Sequence, residues 1–352
     1  MKQLKRTLAL ILSMLIVFSG FGISASAEET SKTITVKMMN YNVAGMPKFD
    51  GTDVAANQQT IAKYIVDNNF DIVATQEDFG YHRKLVKGLN GFNYFTNHSG
   101  SIPGGDGMNV FTKTMPIYNE ERYPWDESYG TIEEGDTLTP KGLMHVVIEI
   151  ADGVYIDFYN LHADAFGSDG SIAARESNYK QTVDLIEENY KKYNRPVIVT
   201  GDFNHFHHTN AHENSNMYAI FQERCGLKDA WIEVHNDGDY FNFSKWYSLG
   251  GYWGVWDSVE KFMYKDGGGI TLEPVDYKYT WIKNETGANT SDHAAAECTF
   301  TFTVTEDFVE NTQELKVVNQ FFLRNFFNMI KWIFKDLIYI FSNFDELIEF
   351  LG

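Results

Sequence analysis

The run Val197-Ile198-Val199 in PVIVTGDFNHF is short, continuous and β-branched. Such a run reads as a strand covered on both faces, so the chain must build a sheet with layers above and below it. The run leads into Asp202 and Asn204, one residue apart, and strand alternation turns both to the same side. The pattern recurs. TITVKMMNYNV carries Asn42 near its end, DIVATQE ends in Glu77, VYIDFYNLH ends in His162, and Asp292 and His293 lead into AAAECTFTFTV. Strand ends of open α/β sheets converge on a cleft. Carboxylates and amides with few imidazoles are hard oxygen donors that suit Mg²⁺ (or Mn²⁺ or Ca²⁺) better than Zn²⁺. Taken singly, each group is more often a turn or cap residue, and His162 alone a structural histidine. The set carries the chemistry.

Between these strands, and MNVFTK and LMHVVIEI, lie two helical stretches. NQQTIAKYIVDNN puts Ile61, Ile65 and Val66 on one face, and AARESNYKQTVDLIEENYKKY does so with Tyr179, Val183, Ile186 and Tyr190. Mostly irregular, Gly-rich connections favour an α/β fold of sheets packed together under helices over a strict βαβ repeat. The chain shows no internal repeat, GxGxxG or P-loop. Residues 1–27 read as a secretory signal peptide: Lys2, Lys5 and Arg6, then an apolar run, then Ala25-Ser26-Ala27. The sequence therefore divides into this leader, a catalytic domain over 28–304, and an apolar amphipathic tail over 305–352. In the tail Arg324, Asn328, Lys331, Lys335, Ser342, Glu346 and Glu349 form a narrow polar stripe on a helix. Its apolar arc suits packing, self-association or a membrane interface equally, and no apolar run reaches the length needed to cross a bilayer.

The formal charge is −19; leader removal leaves 26 basic against 48 acidic residues, or −22. That balance disfavours a polyanion-coating protein, although a nuclease whose metal offsets charge locally survives it. Cys225 and Cys298 imply no disulfide framework. Cys298 alternates with Phe300, Phe302 and Val304 against Glu297 and three threonines, so a buried free thiol is expected there.

The ordered set NYNVAGMP, TQEDF, NLHADA, TGDFN, SDH resembles the endonuclease/exonuclease/phosphatase (deoxyribonuclease-like) superfamily, over nearly all of residues 33–304. DGMNVFTKTMPI and PKGLMHVVIEI lean toward its secreted sphingomyelinase/phospholipase C-like members. The resemblance implies a four-layer sandwich of two packed mixed β-sheets flanked by helices. It also implies roles: Glu77 as principal metal ligand beside Asn42, and Asp292 as a metal ligand or as the group positioning His293. Asp202 and Asn204 would orient the attacking water and a phosphate oxygen, His162 would bind the phosphoryl group, and His293 would act as general base. The family's Asp that orients this base is matched here by Glu260 in VEKFMY, with Asp257 the runner-up.

Some polar residues have plainer readings. Lys141 would supply a phosphate-binding cation, but a solvated lysine is the commoner case. Arg175 reads as a surface arginine near a helix start, and His82 and Arg83 as loop residues. His205, His207, His208 and His212 form a solvated loop more often than a metal site, since their spacing matches no zinc pattern. The implied activity is a secreted, divalent-metal-dependent phosphodiesterase acting on a phospholipid headgroup, with the aromatics of DYFNFSKWYSLGGYWGVW and the tail suited to a membrane surface. An exported nuclease is the alternative, although no stable nucleic-acid partner is expected. An inactive binding protein is the third reading.

Overall fold

The computed structural model describes residues 32–48, 50–102, 105–130, 141–206, 216–240, 258–310, 315–318 and 334. The leader, Asp257, the histidines at 207, 208 and 212, the aromatic segment from 241 on and nearly all of the tail lie outside the described residues.

Two six-stranded mixed sheets pack face to face. The first contains β1 (Lys32–Asn42), β2 (Ile72–Gln76), β3 (Tyr94–Phe95), β4 (Asn109–Thr112), β11 (Ile270–Thr280) and β12 (Ala295–Val304), in the order β11-β12-β1-β2-β4-β3. The second contains β5 (Ile117–Pro124), β6 (Gly142–Ala151), β7 (Val154–His162), β8 (Val197–Asp202), β9 (Lys228–Asp229) and β10 (Glu260–Lys265), in the order β5-β6-β7-β8-β10-β9. Parallel strands need a crossover, and each sheet has one helical example. Helix α1 (Val54–Asp67) joins the parallel pair β1–β2, α2 (His82–Gly88) follows β2, and α3 (Asp169–Tyr193) joins the parallel pair β7–β8. The short α4 (Ala230–His235) follows β9.

The helices start where the sequence can cap them. Asp53 accepts the Ala56 N–H at 3.0 Å to open α1, and Ser168 accepts that of Ser171 at 3.2 Å to open α3. Helix α1 buries Ile61 and Ile65 with Ala62, whereas Val66 stays half-exposed; α3 buries Tyr179, Val183 and Ile186 and leaves Tyr190 half-exposed.

β1 shows how the layers arise. Val36 and Met38 point into the core between the sheets, while Met39, Tyr41 and Val43 point out to the cluster under α1. Continuing the inward register brings Asn40 and Asn42 to the same inter-sheet face.

Three departures from the sequence reading have physical causes. β11 is an 11-residue strand that its Pro274 hides; a register shift between Pro274 and Asp276 accommodates the missing donor. Cys225 and Cys298 are buried and free, but Glu297, placed outward by alternation, is 3 % exposed, because α1 covers that face and Tyr64 donates to it at 2.5 Å. Leu315–Val318, assigned to the tail helix, are extended instead. They lie along the open edge of β5, where Asn119 N–H donates to the Lys316 carbonyl at 2.8 Å.

Candidate active site

Sheet register creates the site. Across four strands of the second sheet the directly paired residues are Gly142, His162, Asp202 and Glu260. Paired residues share a face at a strand spacing of about 4.8 Å, so His162, Asp202 and Glu260 stand in a row. The first sheet brings Asn42, paired with Gln76, next to Glu77. His293 enters from the loop before β12.

The two sheets meet through these groups. His293 Nδ1 lies 2.6 Å from Glu260 Oε1 and 3.7 Å from Asp202 Oδ2. Asn42 Nδ2 donates to Glu77 Oε1 at 3.0 Å and to Asp202 Oδ2 at 3.1 Å, while its Oδ1 accepts from the Ala44 N–H. Asn42 therefore presents its amide nitrogen to the carboxylates and bridges them. His162 Nε2 lies 3.5 Å from Asp202 Oδ2. Asn204 folds back, its N–H on Asp202 Oδ1 at 2.9 Å and its amide on the Ala163 carbonyl at 2.9 Å. Asp292 is exposed at the cleft edge, 4.0 Å from Lys48 Nζ.

Glu77 (φ +53°) and Asn204 (φ +49°) both sit in the left-handed region. For Glu77 this is an outlier of the kind that clusters at functional sites. The backbone is closely packed there: Gly107 approaches so near that a Cβ on it would lie 3.0 Å from the Glu77 Cα and 2.7 Å from the Phe79 ring.

Burial and neighbouring charge divide the site into two kinds of group. Desolvation raises the Glu77 carboxyl, against the Asn42 hydrogen bond and the charges of His293 and Lys141. It also raises Glu260, with His293 opposing. Asp202 is lowered: burial works to raise it, but His293, His162 and Lys141 together prevail. Burial and then Lys141 push His162 well down, so it is neutral at physiological pH. His293 is the reverse. Burial opposes its charge, yet Glu260 and Asp202 push it up to about 10.

Two polar side chains read from sequence as surface groups are buried. Lys141 is 9 % exposed and close enough to act on Glu77, His162 and Asp202. Arg175 is 5 % exposed and donates to the carbonyls of Asp164 and Phe166. His205 is buried too. His82 opens α2 and bonds Asp78 at 2.6 Å, stacked on His98; it does not join the cleft groups.

Other residues went unnoticed in the sequence. Ser258 donates to Glu260, and Ser291 ties the Asn42 carbonyl at 2.7 Å to the His293 N–H at 3.1 Å. Beneath the site a buried amide network spans the sheets. Asn40 donates to the Gly201 carbonyl, Gln76 to the side-chain oxygens of Asn40 and Asn160, and Asn160 to the carbonyls of Thr75 and Asn109. A signal for two of these exists: Asn40 and Asn160 each precede a cleft residue, Asn42 and His162, by two, on the same strand face.

Asp202, Glu260 and His293 offer ligand atoms all within 4.8 Å of one another and are a candidate group for holding a metal ion. The 2.6 Å His293–Glu260 contact makes them equally a proton-relay arrangement. The Glu77 carboxyl, raised by burial against the pull of His293 and Lys141, is chemically matched to a hard divalent ion.

The Endonuclease/Exonuclease/phosphatase family matches residues 39–258, and the chain belongs to it. The chain is 28 % identical over 269 residues to sphingomyelinases of Mycobacterium tuberculosis and Mycobacterium bovis, an alignment covering 74 % of this chain and 51 % of the relative. It thus spans about half the length of those curated relatives. Among solved structures, sphingomyelinase C from Streptomyces griseocarneus superposes with a TM-score of 0.54 at 18 % identity, covering 75 % of this chain and 99 % of that one. TDP2 from D. rerio, complexed with a single-strand DNA product, gives 0.55 at 16 %, covering 76 % and 98 %. At these identities the two likenesses are of fold.

Proposed function

We propose that the chain is a secreted, divalent-cation-dependent phosphodiesterase that hydrolyses the headgroup ester of a phospholipid. The observation that carries this reading is the His293–Glu260 pair, set against Asp202 and facing Glu77 across the meeting line of the sheets. Similarity to sphingomyelinases supports the lipid substrate, and the leader-like residues 1–27 support export.

Hydrolysis needs a polarised phosphorus, a deprotonated water and a stabilised leaving group. A bound Mg²⁺ or similar cation, which Glu77 beside Asn42, and Asp292, would hold, would withdraw charge from a phosphoryl oxygen, stabilise the leaving oxygen until it takes a proton from solvent, and favour the neutral form of His293. The remaining work belongs to the chain. Glu260 holds Nδ1 of His293 and so orients the ring, leaving Nε2 as the nitrogen that takes the water's proton. Asp202, kept ionised, and Asn204 orient that water and a phosphate oxygen. Neutral His162 and cationic Lys141 bind the phosphoryl oxygens. Glu260 is one methylene longer than the family's Asp, and Ser258 steadies its second oxygen.

The test pairs choline-phospholipid liposomes with plasmid DNA, each with Mg²⁺ and with chelator. Release of phosphocholine that stops on chelation and returns with Mg²⁺ is expected. Rapid plasmid cutting with inert liposomes would replace the lipid reading with the nuclease one. No turnover of either would leave a binding protein.

A further inference from the structure

We propose that Phe166, Phe206 and Tyr129 form an aromatic rim that seats the cleft on a zwitterionic phospholipid bilayer. The proposal rests on the lipid reading above and deepens it by assigning the docking surface. These residues follow β7, β8 and β5 on the loops that border His162 and Asn204, and their exposures are 54 %, 40 % and 45 %. Single exposed apolar residues are ordinary, but the backbone holds these in place. Phe166 has φ +66°, a conformation that a bulky residue rarely adopts without compensation. Its compensation is Arg175, which donates to the Asp164 carbonyl at 3.1 Å and the Phe166 carbonyl at 2.8 Å. Tyr129 is fixed through its N–H on Asp164 Oδ2 at 2.8 Å and lies so close over Gly170 that a Cβ there would be 2.3 Å from the ring. Asn204 bonds the Ala163 carbonyl, joining the Phe206 loop to the Phe166 loop. Buried polar anchors thus present aromatic rings to solvent, which is pre-organisation for a surface.

Charge selects the surface. From Ala163 to Arg175 the charged residues are Asp164, Asp169 and Arg175, and of these Asp164 and Arg175 are buried, which leaves Asp169 as the exposed charge. A nucleic acid or an anionic membrane would find no counter-charge on this loop. A zwitterionic interface accepts aromatic rings at the headgroup level without one.

The experiment uses the full chain carrying Phe166→Gly, Phe166→Trp or Phe166→Ser with Phe206→Ser. Glycine suits the positive φ, so the first variant should keep its Tm. Sedimentation with phosphatidylcholine–sphingomyelin vesicles, phosphatidylserine vesicles and single-stranded DNA measures binding without turnover. Turnover on vesicles is then divided by turnover on bis(p-nitrophenyl) phosphate. We expect partition onto the zwitterionic vesicles to fall about tenfold for Phe166→Gly and further for the double serine variant, from the apolar area lost. Phe166→Trp should hold, and the turnover ratio should fall in step with binding. Unchanged partition, an equal loss on the soluble diester, or loss of DNA binding instead of vesicle binding overturns the proposal. Because sedimentation needs no chemistry, an inactive chain that still binds through Phe166 would sink the phosphodiesterase reading and leave the docking surface standing.

Discussion

His145 and His162 occupy adjacent strands of the second sheet and are about equally hidden, at 3 % and 2 % exposure. Their titrations nevertheless diverge. His145 Nε2 meets Asp157 at 2.9 Å, and although burial works to lower it, Asp157 and Glu121 raise it. His162 faces Asp202 at the longer 3.5 Å, and burial, then Lys141 and more weakly His293, lower it against that carboxylate. Burial pushes both down; it prevails at His162 and is overcome at His145. Asp157, shared only with Arg195 at 3.4 Å, lies close enough to His145 to overcome burial; Asp202, farther from His162 and shared with a second histidine, does not, and His162 is held neutral.

The hardest blow to this contrast comes from the cleft. His293→Ala should lower turnover by about 10²–10⁴-fold, as read by liposome assay, and should also lower Tm in a thermal melt, because Glu260 and Asp202 raise His293 as Asp157 raises His145; a loss of Tm without the loss of turnover would make His293 a structural residue like His145. Next, Asn160→Ala removes donors from two buried carbonyls and the partner of Gln76, and should cost about 2–4 kcal/mol in urea unfolding. On the other side of the comparison, Asp157→Asn should cost about 1–2 kcal/mol while activity stays within a few-fold. That cost has a pH signature. A raised histidine contributes fully below its ordinary value of about 6.5 and loses the contribution as pH rises through the folded value, so the wild-type–variant gap should narrow toward alkaline pH. His162 has the opposite sign, its burial penalising the fold as pH falls below about 6.5. The smallest effect belongs to an exposed pair: Arg224→Ala, losing Asp184 and Glu187, should change stability by at most about 1 kcal/mol and vanish in high salt.

Much of the cleft was legible because its groups sit at the tips of apolar strands, where alternation and motif order both act on short segments. Glu77, Asp202 and His293 are of this kind. What escaped depends on partners far away in sequence. Lys141 looks like a surface cation, yet it is buried close enough to act on Glu77, His162 and Asp202; Arg175 is hidden for a nearer reason, since it folds back onto carbonyls of the loop ahead of its own helix. Glu297 obeys the outward alternation of β12 and is buried all the same, because outward there means beneath α1. Asn40, Gln76 and Asn160 lie inside strands, where an amide gives no local sign that it will find carbonyls on the opposite sheet. β5 and β11 were missed because charge and Pro274 blur their alternation.

The amide network beneath the cleft has one more consequence. Half of the reacting groups ride on one sheet and half on the other, so their alignment is a matter of sliding tolerance between two slabs. Mild denaturant or hydrostatic pressure that lets the slabs slip by an ångström would part His293 from Glu260 before either sheet lost a strand. Loss of the proposed turnover would then precede melting of the chain.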